Sequence, residues 1–281
     1  MISKVLVALY RFVHGRVHLR GAGWLLKRSV PFLPGLKNFR LRVPEVGEAM
    51  LDFRDTAVFG LLNMTLDDFG NERRLIPLMR KCLKPGNVLW DIGANVGMVS
   101  GYFANPNHGL RGICAFEPNP TPFKTLQSLF QNHPRVRVYP FGLGSEDGEF
   151  TMGVSNESSE LGSLKNALSD GTRIQVLVRC GDTVFKQMCL PAPDVLKIDV
   201  EGFEPNVIEG LSQTIAEHSP VIFFEHTWLS DDEVRNLPPK NYSLCFIEDN
   251  GAVTKDFQGR FRGHDGILVP NDEPELFDQT V

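Results

Sequence analysis

Val88-Leu89-Trp90-Asp91-Ile92-Gly93-Ala94-Asn95-Val96-Gly97 is a short apolar run that ends in an acid, turns through two glycines and enters a helical pattern through Phe103. A strand that gives way to a helix across such a turn brings bare backbone against a ligand, with helix-terminal N–H groups pointing at it. This predicts a nucleotide-like cofactor site built from Asp91, Gly93, Ala94, Asn95 and Gly97. The dinucleotide fingerprint needs glycine at the first, third and sixth positions of the turn, whereas here Asn95 stands third and Gly97 fifth. A cofactor without phosphates therefore fits better than a pyrophosphate. The alternative is a tight turn that binds nothing.

Outward from this turn the chain alternates. Gly112 to Phe116 is a second apolar strand, and Asn119-Pro120 after it is an N-cap followed by proline at the first helical position. Val136 to Tyr139, Asp194 to Ile198 and Val221 to Phe224 read as further strands, and Glu204-Pro205 opens a helix between the last two. Such alternation predicts a mainly parallel sheet with helices on both faces and ligands at the carboxyl ends of the strands. Residues 240–270 predict two or three more strands, antiparallel at one edge. At the end of the second strand, Glu117 with Pro118 and Asn119 forms the next candidate cofactor segment. An acid there accepts both hydroxyl hydrogens of a ribose. At the end of the fourth strand, Asp199 and Glu201 are expected on one face, because strand side chains repeat every two residues. The alternative for that pair is a helix cap and a surface acid.

These three segments together resemble the FkbM-type family of S-adenosylmethionine-dependent methyltransferases. The matching residues are Asp91 to Gly97, Phe116-Glu117-Pro118, and Lys197-Ile198-Asp199-Val200-Glu201-Gly202 with Glu204 and Gly210. The resemblance spans about residues 70–230 and implies an α/β fold, a seven-stranded Rossmann-like class I methyltransferase sheet. It also implies methyl transfer to an oxygen, often a hydroxyl of a sugar, glycan or secondary metabolite; at the site itself we expect no metal. S-adenosylmethionine suits the residues: Glu117 can hold its ribose, the Gly93 to Asn95 turn its amino-acid end, and an acidic pocket its cationic sulfonium. Asp199 is the expected base or acceptor-orienting group, Glu201 an orienting acid, and His226, after the fifth strand, a rival base. Trp228 offers a stacking surface, although a loop His and Trp are more often packing residues. A divalent ion held by Asp199 and Glu225, as in some other O-methyltransferases of this fold, is the alternative to a metal-free site. Competing functions are a nicotinamide-dependent oxidoreductase on a similar fold and a cofactor-binding partner subunit without catalysis.

The 281 residues include five scattered cysteines, with no C-x-x-C, which favours reduced thiols in a cytoplasmic protein. A net charge of −5 gives no reason to expect nucleic acid as a partner. Residues 1–44 nevertheless carry nine basic side chains and no acid, leaving 20 basic against 34 acidic groups in the rest. Ile2, Val5, Leu6, Leu9, Phe12 and Val13 recur at helical spacing. Residues 1–20 are thus expected either to lie on an anionic membrane surface or a partner, or to pack on the protein itself. We divide the chain into a basic helical extension over 1–69, the methyltransferase domain over 70–270 and an acidic tail over 271–281. His14 and His18 lack a third ligand for a metal. Asp182-Thr183 is expected to cap the helix that follows it. Residues 154–173, polar and rich in Ser, Asn and Gly, form either a surface excursion between hairpin strands or a lid.

Overall fold

The computed structural model describes residues 5–10, 22–62, 72–154, 172–255, 264–273 and 277. In chain order the elements are α1 (5–10), α2 (Ala22–Ser29), β1 (Phe39–Val43), β2 (Gly47–Leu51), α3 (Leu75–Cys82), β3 (Val88–Ile92) and α4 (Met98–Ala104). Next come β4 (Gly112–Phe116), α5 (Pro120–Phe130), β5 (Val136–Tyr139), β6 (Gly142–Gly144), β7 (Gly148–Val154), β8 (Thr172–Cys180) and α6 (Gly181–Gln187). The chain continues through β9 (Val195–Ile198), α7 (Glu204–Gly210), α8 (Ser212–His218), β10 (Val221–Glu225), α9 (Asp231–Asn236), β11 (Tyr242–Ile247), β12 (Val253–Thr254) and β13 (Asp265–Pro270).

The main sheet runs β12-β11-β13-β10-β9-β3-β4-β5. The five strands from β10 to β5 are parallel, and the last three in sequence add antiparallel at one edge, as expected. The sheet has eight strands where seven were expected, because Val253–Thr254 pairs with Phe246 and Ile247 as a two-residue edge strand. After β5 the chain returns to the other side of β3, so the order reverses between β3 and β9. Ligands bind at such a switch point in open α/β sheets.

Successive residues of the central strands feed two separate cores, which is why these strands are apolar on both faces. Leu89, Ile113, Val195 and Phe223 join the cluster that includes residues of α3, α4 and α5. Trp90, Cys114, Leu196 and Phe224 join the cluster with residues of α6 to α9. Val7, Leu26, Leu36, Leu41 and Leu51 belong to the first cluster, so the described part of residues 1–69 shares that core. That stretch is not wholly helical: β1 and β2 form a hairpin with Phe39, Leu41 and Val43 buried and Arg40 and Arg42 exposed. Phe277, in the stretch assigned to the acidic tail, is buried edge-on to Phe223.

A second sheet, β6-β8-β7, holds the antiparallel pair β7 and β8 that flanks the polar excursion. The excursion, and with it the lid reading, lies outside the described residues, as do His14 and His18. Asp182 does not cap its own helix. Its carboxylate accepts from the Gln213 and Thr214 N–H groups, both at 2.9 Å, and from the Thr214 hydroxyl at 2.6 Å, so it caps α8.

Candidate active site

The carboxyl ends of β10, β9, β3 and β4 lie side by side, and every candidate segment falls there. In the turn after β3, Gly93 has φ 80° and a Cβ at that position would stand 1.8 Å from the Asp199 carbonyl oxygen. Only glycine fits, because the turn is pressed against the neighbouring chain. Gly93 and Ala94 both donate to the Phe116 carbonyl at 3.0 Å. Asn95 (φ 49°) and Gly97 (φ 91°) complete the turn in left-handed backbone. Asp91 is fully buried, and its Oδ2 accepts from the Ser100 N–H at 3.1 Å and hydroxyl at 2.6 Å, fastening the first turn of α4 to β3.

Glu117 reaches across to this turn. One carboxylate oxygen accepts from the Asn95 N–H at 2.9 Å and the other from the Asn119 N–H at 2.7 Å. Burial pushes its pKa up to about 7, against the lowering effect of those two hydrogen bonds. Asn119 spends its side-chain oxygen on the Thr121 N–H, capping α5, and Pro118 between them is half-buried.

Asp199, Glu201 and Glu225 each offer a carboxylate oxygen within 4.8 Å of the others, the only such group of potential metal ligands among the described residues. Asp199 and Glu201 do meet, but not through strand alternation. β9 ends at Ile198, and a turn with positive φ at Glu201 (53°) and Gly202 (98°) carries Glu201 back. Glu204 holds that turn by accepting from the Val200 N–H at 3.0 Å and the Gly202 N–H at 3.3 Å. Burial first, then Asp199 and Glu204, raise Glu201 to about 8, while a hydrogen bond from Trp228 opposes this. Burial, then Asp199 and Glu201, raise Glu225 to about 9. Thr227 donates to Glu225 at 2.7 Å. Burial and Asp199 raise Asp265, opposite Glu225 on β13, to about 7. Trp228, 38% exposed, stands beside the cluster.

Lys197 stabilises this concentration of acid. Its buried ammonium is 3.2 Å from Asp199, 3.6 Å from Asp91 and Glu72, and donates to the Gly93 carbonyl at 3.2 Å. The ammonium pKa is raised: burial lowers it, but Asp199, Asp91 and Glu72 together prevail. A lysine inside the apolar run Val195 to Ile198 has to find acids, and that was the signal in the sequence. Asp265 gave none, since its place depends on long-range pairing. His226 does not join the cluster. It is 5% exposed, its ring lies between Phe224 and Phe246 at 6.1 and 5.7 Å, and burial pushes it down to about 4.

This fold and site define an α/β protein with a cluster of acids at the switch point of its sheet. Residues 91–253, more than half of the chain, match the Methyltransferase FkbM domain, and the chain belongs to that methyltransferase family. It is 28% identical over 172 residues to "Hexuronic acid methyltransferase AglP" of Haloferax volcanii, covering 60% of this chain and 69% of that one. It is 43% identical over 161 residues to "31-O-demethyl-FK506 methyltransferase FkbM" of Streptomyces tacrolimicus, covering 46% and 61%. A crystal structure of Methyltransferase FkbM from Methylobacillus flagellatus KT covers 88% of this chain and 60% of its own, with TM-score 0.44 and 15% identity. The chain spans 57 to 69% of the length of the curated relatives it matches.

Proposed function

We propose that the protein is an S-adenosylmethionine-dependent O-methyltransferase acting on a hydroxyl of a sugar, a glycan or a hydroxylated secondary metabolite. The observation that carries this reading is the convergence of Asp199, Glu201 and Glu225 beside an exposed Trp228 at the sheet's switch point. The cleft fits the cofactor chemically. Each Glu117 oxygen accepts one N–H and keeps capacity for a ribose hydroxyl. The Gly93 to Gly97 turn offers backbone to the amino-acid end, and the acids suit a sulfonium. The relative named for 31-O-demethyl-FK506 supports an oxygen acceptor and the one named for hexuronic acid supports a sugar, and an aromatic face such as Trp228 suits a sugar ring. Lys197 already supplies the cation at 3.2 Å from Asp199, so we assign no metal.

When bound, S-adenosylmethionine supplies a methyl group on a cationic sulfur. Asp199, whose side chain is 30% exposed, takes the proton of the acceptor hydroxyl as the new bond forms. Glu201 and Trp228 orient the acceptor, and Glu117 holds the ribose. Lys197 fixes Asp199 to the turn through the Gly93 carbonyl. The five thiols, none joined to another, suit a reducing compartment such as the cytoplasm.

The test is transfer of labelled methyl to a panel of hexuronic-acid glycans, other sugars and hydroxylated metabolites, alongside calorimetry with S-adenosylmethionine and NAD. Binding of the first but not the second, with label in one acceptor, is the expected result. NAD binding would favour the oxidoreductase, and cofactor binding with no transfer to any acceptor would favour a non-catalytic partner subunit.

A further inference from the structure

Helix α1 is apolar on both sides. Val7 and Tyr10, three residues apart, face inward, and Tyr10 lies 5.5 Å from Phe59 between ring centroids. Val5 and Leu9, four apart, face outward and are 61% and 55% exposed. A surface helix with one buried face normally carries polar groups on the other. Phe32, in the turn after α2, is 83% exposed, the highest value among the large apolar side chains described. This turn belongs to the same layer as α1, because α2 packs on the 3-10 helix Thr56–Leu62 and Tyr10 of α1 packs on Phe59 of that same helix. Residues 1–44 carry nine Lys and Arg and no acid, and of the described ones Arg28, Lys37, Arg40 and Arg42 are exposed, with Arg40 paired to Glu48. Where β1 meets α3 and α4, an open cavity of about 420 Å³ is lined by Arg42, Arg80 and His108 and by no carboxylate.

We propose that the surface formed by α1, α2 and the turn after α2 docks on an anionic lipid surface. Val5, Leu9 and Phe32 enter the boundary between headgroups and acyl chains, and Lys27, Arg28 and Lys37 face the headgroup phosphates. Apolar insertion and electrostatic attraction are the two signals that stable but reversible attachment requires. No helix among the described residues is long and apolar enough to cross a membrane.

The test is co-sedimentation of the full chain with vesicles of phosphatidylcholine alone and of phosphatidylcholine mixed with phosphatidylglycerol. Binding only to the anionic vesicles, weakened about tenfold or more by raised salt, is expected. Val5→Glu with Leu9→Glu, and separately Phe32→Ala, are expected to lower partitioning by about tenfold and severalfold. Both variants keep S-adenosylmethionine affinity and melting temperature, which separates lost docking from lost folding. Negligible pelleting of the wild type, equal pelleting of the double variant, or equal binding to neutral vesicles would overturn the proposal. So would a wild-type dimer, seen by light scattering, that the double variant breaks while lipid binding is absent.

Discussion

Three acids surround one buried ammonium at Lys197, and only Asp199 among them also faces the rim formed by Glu201 and Glu225. Asp199→Asn keeps the shape of the side chain and removes its basicity. Turnover is expected to fall by about 10²- to 10⁴-fold, the usual worth of a general base, with cofactor affinity held within a few-fold. Near-full turnover with a true acceptor would refute the assignment. Glu225 differs because burial, Asp199 and Glu201 raise its pKa to about 9, which favours the protonated form at neutral pH. Glu225→Gln preserves a donor there and is expected to retain turnover within roughly tenfold at pH 7. With His226 pushed down to about 4, the rate should show no imidazole limb at pH 6 to 7. At the other end of the cleft, Glu117→Ala removes an acceptor for a ribose and orphans the Asn95 and Asn119 N–H groups. Calorimetry should show S-adenosylmethionine affinity reduced about 30- to 150-fold, or about 2–3 kcal/mol. Unchanged affinity would sink the ribose role.

At the level of elements, one carboxylate joins two helices. Asp182 lies in the first turn of α6 but satisfies two orphan N–H groups at the start of α8, so Asp182→Ala unties α8 rather than α6. The expected loss is about 1–2 kcal/mol, seen as a lower urea midpoint with an unchanged slope. An unchanged midpoint would show that the cap contributes nothing. The sequence hid this link because Asp182-Thr183 has the local look of an ordinary cap and its partners are about thirty residues away. Local signals fared better: the glycine turn after β3, the Asn119-Pro120 helix start and the parallel strands were all legible, since each depends on neighbours in sequence. Phe39-Arg40-Leu41-Arg42-Val43 also alternates legibly, but the glycines and prolines before it masked the hairpin. The meeting of Asp199 and Glu201 was anticipated for a wrong reason. The contact comes from a left-handed turn held by Glu204, and nothing in a strand pattern encodes that. Glu225 facing Asp265 depends on antiparallel register between β10 and β13, which a single sequence does not reveal.

Across the whole molecule, Glu117, Glu201, Glu204, Glu225 and Asp265 all have pKa values raised to between about 7 and about 9 by burial, with contributions from neighbouring acids. A carboxyl whose pKa is higher folded than unfolded binds more protons in the folded state. Its stabilising contribution is complete below the unfolded value near 4.5 and is lost as pH rises through the folded value. His226 acts in the opposite sense, its contribution being lost as pH falls from 6.5 toward about 4. From about pH 6 to pH 9 the carboxyls dominate, and the melting temperature of the cofactor-free protein should fall steadily. A sulfonium near the rim favours the ionised acids, so its binding releases protons and is strengthened as pH rises. S-adenosylhomocysteine has the same adenosine and amino-acid ends but a neutral sulfur. Thermal melts with each ligand at about pH 6 and about pH 8.5 isolate that one charge. S-adenosylmethionine should gain on S-adenosylhomocysteine at the higher pH, whereas equal increments at both would mean that the methyl-bearing sulfur does not face these carboxylates.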